Sequence, residues 1–170
     1  VVTEQSHAGE VAKQLPELPT ERIMSEPGRR GTASCIVLAL ATIASQTQGD
    51  EPVVFLHADA HITNQEEFAL SVEREATAST HNPRITLIGV EPTYPATGFG
   101  YIHRGSAGPD HTYEVRSFKE KPDADTAAKY LASGEYLWNM GLFAAPLSVY
   151  KRAFADYAPD LAKALEDISK

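Results

Sequence analysis

The chain holds a single cysteine, Cys35, among 170 residues. No intrachain disulfide can form, and a small secreted module stapled by disulfides is excluded. A reducing, cytoplasmic setting fits that scarcity. Long apolar runs are also missing. The longest, Cys35 to Ala44, is about half of the roughly 20 residues that a membrane-spanning helix requires, and reads as a buried helix. The chain starts Val1-Val2-Thr3-Glu4, with no basic segment ahead of an apolar one, so no secretory signal is visible and the start reads as mid-strand. Positive charge is short too: 15 Lys and Arg against 23 Asp and Glu give a formal net charge of −8. That balance opposes broad attraction to a nucleic acid polymer or an anionic membrane, so any phosphate must be held by a local cluster of donors.

What is present, at 42% hydrophobic content, suffices for one globular core or part of one. Apolar or β-branched runs at Val1 to Thr3, Arg22 to Ser25, Val53 to Leu56 and Arg84 to Val90 alternate with helical segments, the rhythm of an α/β layered fold. A helix from about Thr32 to Gln48 carries Ile36, Leu40 and Ile43 on one face, widened by Val37, Ala41 and Ala44. Another, about Asn64 to Ala78, has Asn64 as N-cap and Glu66 and Glu67 in its first turn. Beyond Val90 the rhythm changes. Pro92, Pro95, Gly98 and Gly100 precede two β-rich segments, about Phe99 to Arg104 and Thr112 to Lys119, joined by a hairpin connection over His103 to His111. Asp123 caps a helix that Gly134 ends, and the tail from Pro146 reads as two helices broken near Pro159.

Several residues could carry chemistry, each with a plain alternative. Asp59 emerges after the strand Val53 to Leu56, where open α/β sheets bind ligands, and a carboxylate there can hold magnesium against phosphates. It could equally be a turn or cap residue. His57, Asp59 and His61 alternate and would share one face of an extended chain, a pattern open to a transition metal. The Glu26 to Thr32 loop, with Arg29, Arg30 and Thr32, could face a nucleotide, or simply start a helix. Glu120 can accept from sugar hydroxyls and Lys121 can hold a phosphate, or both can be the charged end of an edge strand stopped by Pro122. Gly98 and Gly100 permit close backbone approach to a ring, or merely a bend. Trp138 reads as core. Asn139, polar among apolar neighbours, needs a partner, either a substrate hydroxyl or the backbone.

Taken in order, five blocks resemble the sugar-1-phosphate nucleotidyltransferases, most closely the mannose-1-phosphate guanylyltransferases. They are Glu26 to Ala33, Leu56 to His61, Thr97 to Ile102, Phe118 to Pro122 and Tyr136 to Phe143. These stand where the family has E-P-x-x-R-x-T-A, L-P-x-D-H, T-G-Y-G-Y-I, F-x-E-K-P and Y-x-W-N-S-G-M-F. The resemblance spans nearly the whole chain. It implies a three-layer, Rossmann-like α/β fold with a mixed central sheet, incomplete at both ends, with a nucleotide-binding part over 1–91 and a sugar-phosphate-binding part over 92–170. It also implies an enzyme joining GTP and α-mannose-1-phosphate into GDP-mannose and pyrophosphate, with no membrane or nucleic acid partner and room for a homo-oligomer of the parent enzyme. On the family pattern Asp59 binds magnesium and, with Lys121, serves catalysis. Gly100, Glu120, Lys121 and Asn139 hold the hexose phosphate, and Glu26, Arg30 and Thr32 lie where the nucleotide base is held.

His57 replaces the usual proline, Ala60 a histidine, Gly31 an asparagine and Met140 a serine. The family's opening G-G-x-G-x-R-L-x-P loop, which cradles the nucleotide phosphates, has no counterpart here, and a second metal-binding aspartate normally lies past the point matching Lys170. The expectation is therefore the middle of a larger enzyme, inactive as these 170 residues alone. Three other readings compete: a sister enzyme using another base or hexose, a silent sugar-nucleotide sensor, and a metal-binding domain built on His57, Asp59 and His61.

Overall fold

The computed structural model describes residues 1–28, 30–109 and 112–169. The chain forms two compact units, 1–50 with 150–170, and 51–149. In the first, strand β1 (Val2–Glu4) pairs in parallel with β2 (Met24–Glu26), Glu4 opposite Glu26. Helix α1 (Ala8–Gln14) and a single 3-10 turn at Thr20–Arg22 connect them. Helix α2 (Thr32–Gln46) follows, burying Val37, Ala39, Leu40 and Ala41. The buried face is thus rotated somewhat from the expected Ile36, Leu40 and Ile43 stripe. Ile36 and Ile43 are only half-buried.

The second unit is a five-stranded sheet built around one long strand. It contains β3 (Pro52–Phe55), helix α3 (Gln65–His81), β4 (Thr86–Val90), β5 (Gly100–Ala107), β6 (Tyr113–Lys119), helix α4 (Ala124–Ser133) and β7 (Tyr136–Pro146). Strand β7 pairs antiparallel with β3, β4 and β5, and β6 lies beyond β5. Strand directions are therefore mixed across the chain, parallel in the β1–β2 pair and antiparallel here. Helix α5 (Leu147–Tyr157) follows β7 directly, and α6 (Pro159–Ile168) begins after the break at Pro159. No helix among the described residues is long and apolar enough to cross a membrane.

Local signals explain the helix ends. Asn64 Oδ1 accepts from the Glu67 N–H at 3.1 Å, and Asp123 Oδ1 accepts from the Thr126 N–H at 2.7 Å. These are side-chain caps that satisfy donors left free in a first turn. Gly134 closes α4 in the left-handed conformation, φ +67°. The hairpin differs from expectation: β5 runs on to Ala107 because register shifts between His103 and Arg104 and between Arg104 and Ala107 absorb the irregular residues within the strand. Part of its connection, Asp110 and His111, lies outside the described residues.

One core cluster in this unit joins Ala96, Tyr101, Ala127 and Trp138, with Tyr130 and Tyr136 packed against it. It also pins the bend before β5. The fully buried Tyr101 donates its hydroxyl to Ala96 O at 2.9 Å, and Tyr94 and Phe99 meet Trp138 edge-on at 4.9 and 5.2 Å between centroids. Such pairs add about 1 kcal/mol each beyond their burial. The core role expected of Trp138 is what it plays, at 7% exposure.

Candidate functional site

Strand β7 supplies the centre. Asn139 sits opposite Gly89 of β4 on one edge and Gly100 of β5 on the other. Both glycines give space to a neighbour. A Cβ at Gly89 would fall 2.7 Å from Leu137 Cδ1, and one at Gly100 would fall 2.7 Å from both Glu120 Oε2 and Phe118 Cζ. Real side chains do not tolerate such contacts, so the Glu120 carboxylate lies over the face of Gly100 because no side chain is there. Gly98 has open space around its missing Cβ. Of the two glycines in the bend, only Gly100 is closely approached by neighbouring side chains.

Lys121 is brought in by an unusual backbone. Strand β6 ends at Lys119, and Lys121 adopts φ +42°, the only non-glycine residue with positive φ among the described residues. A lysine in that region costs roughly 1–2 kcal/mol, and its position before Pro122 narrows its choices further. It is held by its own N–H, which donates to Phe99 O at 3.2 Å. Its ammonium lies 3.7 Å from Glu120 Oε1, with both side chains more than half exposed. Gly100, Glu120, Lys121 and Asn139 thus form one group, open to solvent on the Glu120 and Lys121 side.

The Asn139 amide is oriented. Its Oδ1 accepts from the Gly141 N–H at 3.1 Å, which leaves Nδ2 as the free group. The site therefore offers an amide donor beside a carboxylate acceptor and an ammonium. That set suits a polyol carrying a phosphate, since one hydroxyl can accept from Asn139 while another donates to Glu120. The backbone partner anticipated for Asn139 exists, and it takes only the oxygen.

Asp59 is exposed, in a turn after β3, and among the described residues no hydrogen bond or ion pair joins it to the group around Gly100. The turn at Ala58 and Asp59 breaks the extended stretch that would have put His57, Asp59 and His61 on one face. Among the described residues no group of three His, Cys, Asp or Glu side chains could hold a metal ion, so the transition-metal reading is corrected. Nor does Asp59 cap the next helix, because Asn64 does. His57 has a different place. Its ring rests on Gly141, with Nε2 only 2.6 Å from where a Cβ would be. In the sequence Gly141 carries no role of its own, and His57 only that of a possible metal ligand. The available signal was the glycine itself, an interruption in an apolar strand that often marks close approach.

The loop before α2 belongs to the first unit. Glu26 ends β2 and its carbonyl accepts from the Gln5 N–H at 3.1 Å. Gly31 is the N-cap of α2, at φ +88° and with no capping side chain, and Thr32 is the first helical residue. Arg30 is exposed, and its carbonyl accepts from Ser34 Oγ at 3.3 Å. Arg29 lies outside the described residues. Burial lifts the Cys35 thiol above its ordinary value, and the nearby Glu26 carboxylate adds to the rise. Both effects work against the thiolate form.

The nucleotidyl transferase family model matches residues 1–170. The putative mannose-1-phosphate guanylyltransferase of Vibrio cholerae is 37% identical over 168 residues, 98% of this chain and 36% of that protein. The mannose-1-phosphate guanylyltransferase of Escherichia coli is 37% identical over 171 residues, again 98% of this chain and 36% of the relative. The chain thus spans about a third of the length of these curated relatives. Among solved structures, one described as mannose-1-phosphate geranyltransferase from Thermus thermophilus superposes with a TM-score of 0.88 at 27% identity, over 99% of this chain and 48% of that one. A mannose-6-phosphate isomerase from Helicobacter pylori gives 0.81 at 22% identity, covering 97% and 62%, and at that identity shows the fold alone. Matched over its full length, with the α/β fold in common, this chain belongs to the nucleotidyl transferase family.

Proposed function

We propose that the protein is a mannose-1-phosphate guanylyltransferase, forming GDP-mannose and pyrophosphate from GTP and α-mannose-1-phosphate, and that the group around Gly100 is its hexose-phosphate site. The observation that carries this reading is the convergence of Gly100, Glu120, Lys121 and Asn139 on one patch of the β5–β7 sheet. Relatives bearing that activity in their names, at 37% identity, support it. On this reading residues 92–170 serve the sugar phosphate and 1–91 the nucleotide, with Glu26, Arg30 and Thr32 facing the base. The lone Cys35 fits a cytoplasmic enzyme.

The hexose lies beside Gly100, whose missing side chain lets the Glu120 carboxylate reach over the strand toward it. Asn139 Nδ2 donates to one ring hydroxyl and Glu120 accepts from another, fixing which way the ring faces. Lys121 neutralises the sugar phosphate and aims one of its oxygens at the α-phosphorus of the nucleotide. A new P–O bond forms there as the bond to the β-phosphate breaks, and pyrophosphate departs with the electron pair. Asp59, a hard oxygen donor that is exposed and unpaired, suits magnesium, which takes one or two carboxylates and completes its shell with phosphates and water. When bound, magnesium would offset charge developing on the phosphates.

The test is pyrophosphate release by the full-length protein, run with GTP against ATP and dTTP, and with mannose-1-phosphate against glucose-1-phosphate. Turnover with GTP and mannose-1-phosphate at least tenfold above every other pair supports the reading. Preference for another pair assigns a sister enzyme. Binding of both substrates without turnover assigns a sugar-nucleotide sensor.

A further inference from the structure

We infer that His57 is a positioning residue for the hexose site, acting through Gly141 on Asn139. This rests on the reading of Asn139 as a hexose contact and extends it to a side chain with no direct part in binding. The register makes the contact inevitable. Phe55 pairs with Phe143 at the end of β3, so two residues further on His57 comes opposite Gly141. There β7 has no side chain, with Gly141 in the left-handed conformation at φ +68°, and the imidazole lies in the vacant place, Nε2 2.6 Å and Cδ2 2.9 Å from an ideal Cβ. The same Gly141 turns its N–H to Asn139 Oδ1 at 3.1 Å.

The His57 ring thus packs on the residue whose N–H decides which way the Asn139 amide points. Packing that holds Gly141 in its left-handed conformation keeps that N–H on Oδ1, and an amide held by its oxygen must present its nitrogen to a ligand. His57 also stands two residues before Asp59, in the loop that leaves β3. One side chain therefore ties the residue after β3 to the strand that bears the donor of the hexose site.

The experiment compares wild type, His57→Ala, His57→Phe, Asn139→Ala and the double variant in the full-length protein. Steady-state kinetics are measured for each substrate, with the Asn139 side-chain amide resonances recorded without ligand. His57→Ala should raise the sugar-phosphate KM about fivefold, the worth of roughly one net hydrogen bond, and leave the nucleotide KM unchanged. The double variant should be no worse than Asn139→Ala, and His57→Phe, whose flat ring can still cover Gly141, should restore most of the loss. In His57→Ala the Asn139 amide resonances should shift, and in His57→Phe they should return toward wild type. Multiplying effects in the double variant, an equal rise in both KM values, or no rescue by phenylalanine would overturn the inference. If Asn139→Ala leaves the sugar-phosphate KM unchanged, the hexose reading fails on its own. The amide resonances then decide, and their constancy in His57→Ala overturns the coupling.

Discussion

Glu120 places its carboxylate where Gly100 has no side chain: a Cβ at Gly100 would lie 2.7 Å from Oε2. Both atoms that such a Cβ would meet, Glu120 Oε2 and Phe118 Cζ, are the far ends of exposed side chains and can swing away. Gly100→Ala should therefore cost little stability, less than about 1 kcal/mol. Its effect on the site is larger, because displacing Glu120 removes a charge-assisted hydrogen bond of about 1.5–3 kcal/mol. The expected result is a sugar-phosphate KM raised roughly ten- to a hundredfold with a near-native thermal midpoint, read from kinetics and calorimetry on the same sample.

Asn139 separates its two functions by atom. Asn139→Asp keeps an oxygen for the Gly141 N–H at 3.1 Å but exchanges the free donor for an acceptor and adds a second negative charge near Glu120. Asn139→Ala loses both the donor and the backbone partner. The aspartate variant should be the more stable of the two, by about 1 kcal/mol for the retained hydrogen bond, and the weaker binder of sugar phosphate. An aspartate variant that binds as well as wild type would remove Asn139 from the hexose contacts.

Gly141 bears on stability through its backbone. At φ +68° an alanine costs roughly 1–2 kcal/mol, while the His57 ring it would strike is exposed and can yield. Gly141→Ala should lower the melting midpoint, and adding His57→Ala should recover almost none of it. A large recovery would mean that the steric contact, rather than φ, carries the cost.

Much of this architecture is legible in the sequence where causes are local. Asn64, Asp123 and Gly134 mark helix ends by their own chemistry, and all three cap as their residue types dictate. Strand β7 is the opposite case. Tyr136 to Phe143 was recognisable as a block, but Asn139 and Gly141 break its apolar pattern, and its strand character comes from pairing with β3, β4 and β5, distant in the chain. The H-x-D-x-H alternation misled for a related reason: it assumes an extended backbone, whereas Ala58 and Asp59 turn. The Gly100 and Glu120 proximity depends on strand register, which no local motif encodes. Asn139 could be suspected from its polarity alone.

Lys121 sets stability against function. Its left-handed backbone, φ +42° ahead of Pro122, is unfavourable for lysine, and its exposed pairing with Glu120 at 3.7 Å returns little. Lys121→Gly relieves the backbone and removes the cation. Lys121→Ala removes the cation and leaves the strain. Both should lower turnover at least tenfold if the ammonium holds a phosphate, the usual worth of a charge-assisted contact. Only the glycine variant should hold or raise the melting midpoint, since relief of roughly 1–2 kcal/mol exceeds the added chain entropy of about 0.5–1 kcal/mol. Equal turnover in wild type and both variants would end the phosphate role.

Glu75 introduces a pH dependence away from the site. This α3 residue is 6% exposed and neither carboxylate oxygen has a hydrogen-bond partner. Burial raises its pKa to about 7, against a partly offsetting pull from the Ala144 backbone N–H, which falls short of hydrogen-bonding geometry. Below the ordinary value of 4.5 both folded and unfolded chains carry the proton, and Glu75 contributes no slope. Between 4.5 and about 7 the unfolded chain releases it while the folded chain keeps it, so stability falls as pH rises, by at most about 3 kcal/mol. Above that window the penalty is constant. Glu75→Gln keeps the shape and removes the titration. Its advantage over wild type in urea unfolding should be near zero at pH 4.5, grow to pH 7 and level off by pH 8. An advantage independent of pH would show that Glu75 is solvated in the folded protein, and a growing disadvantage would show that its ionised form finds a partner.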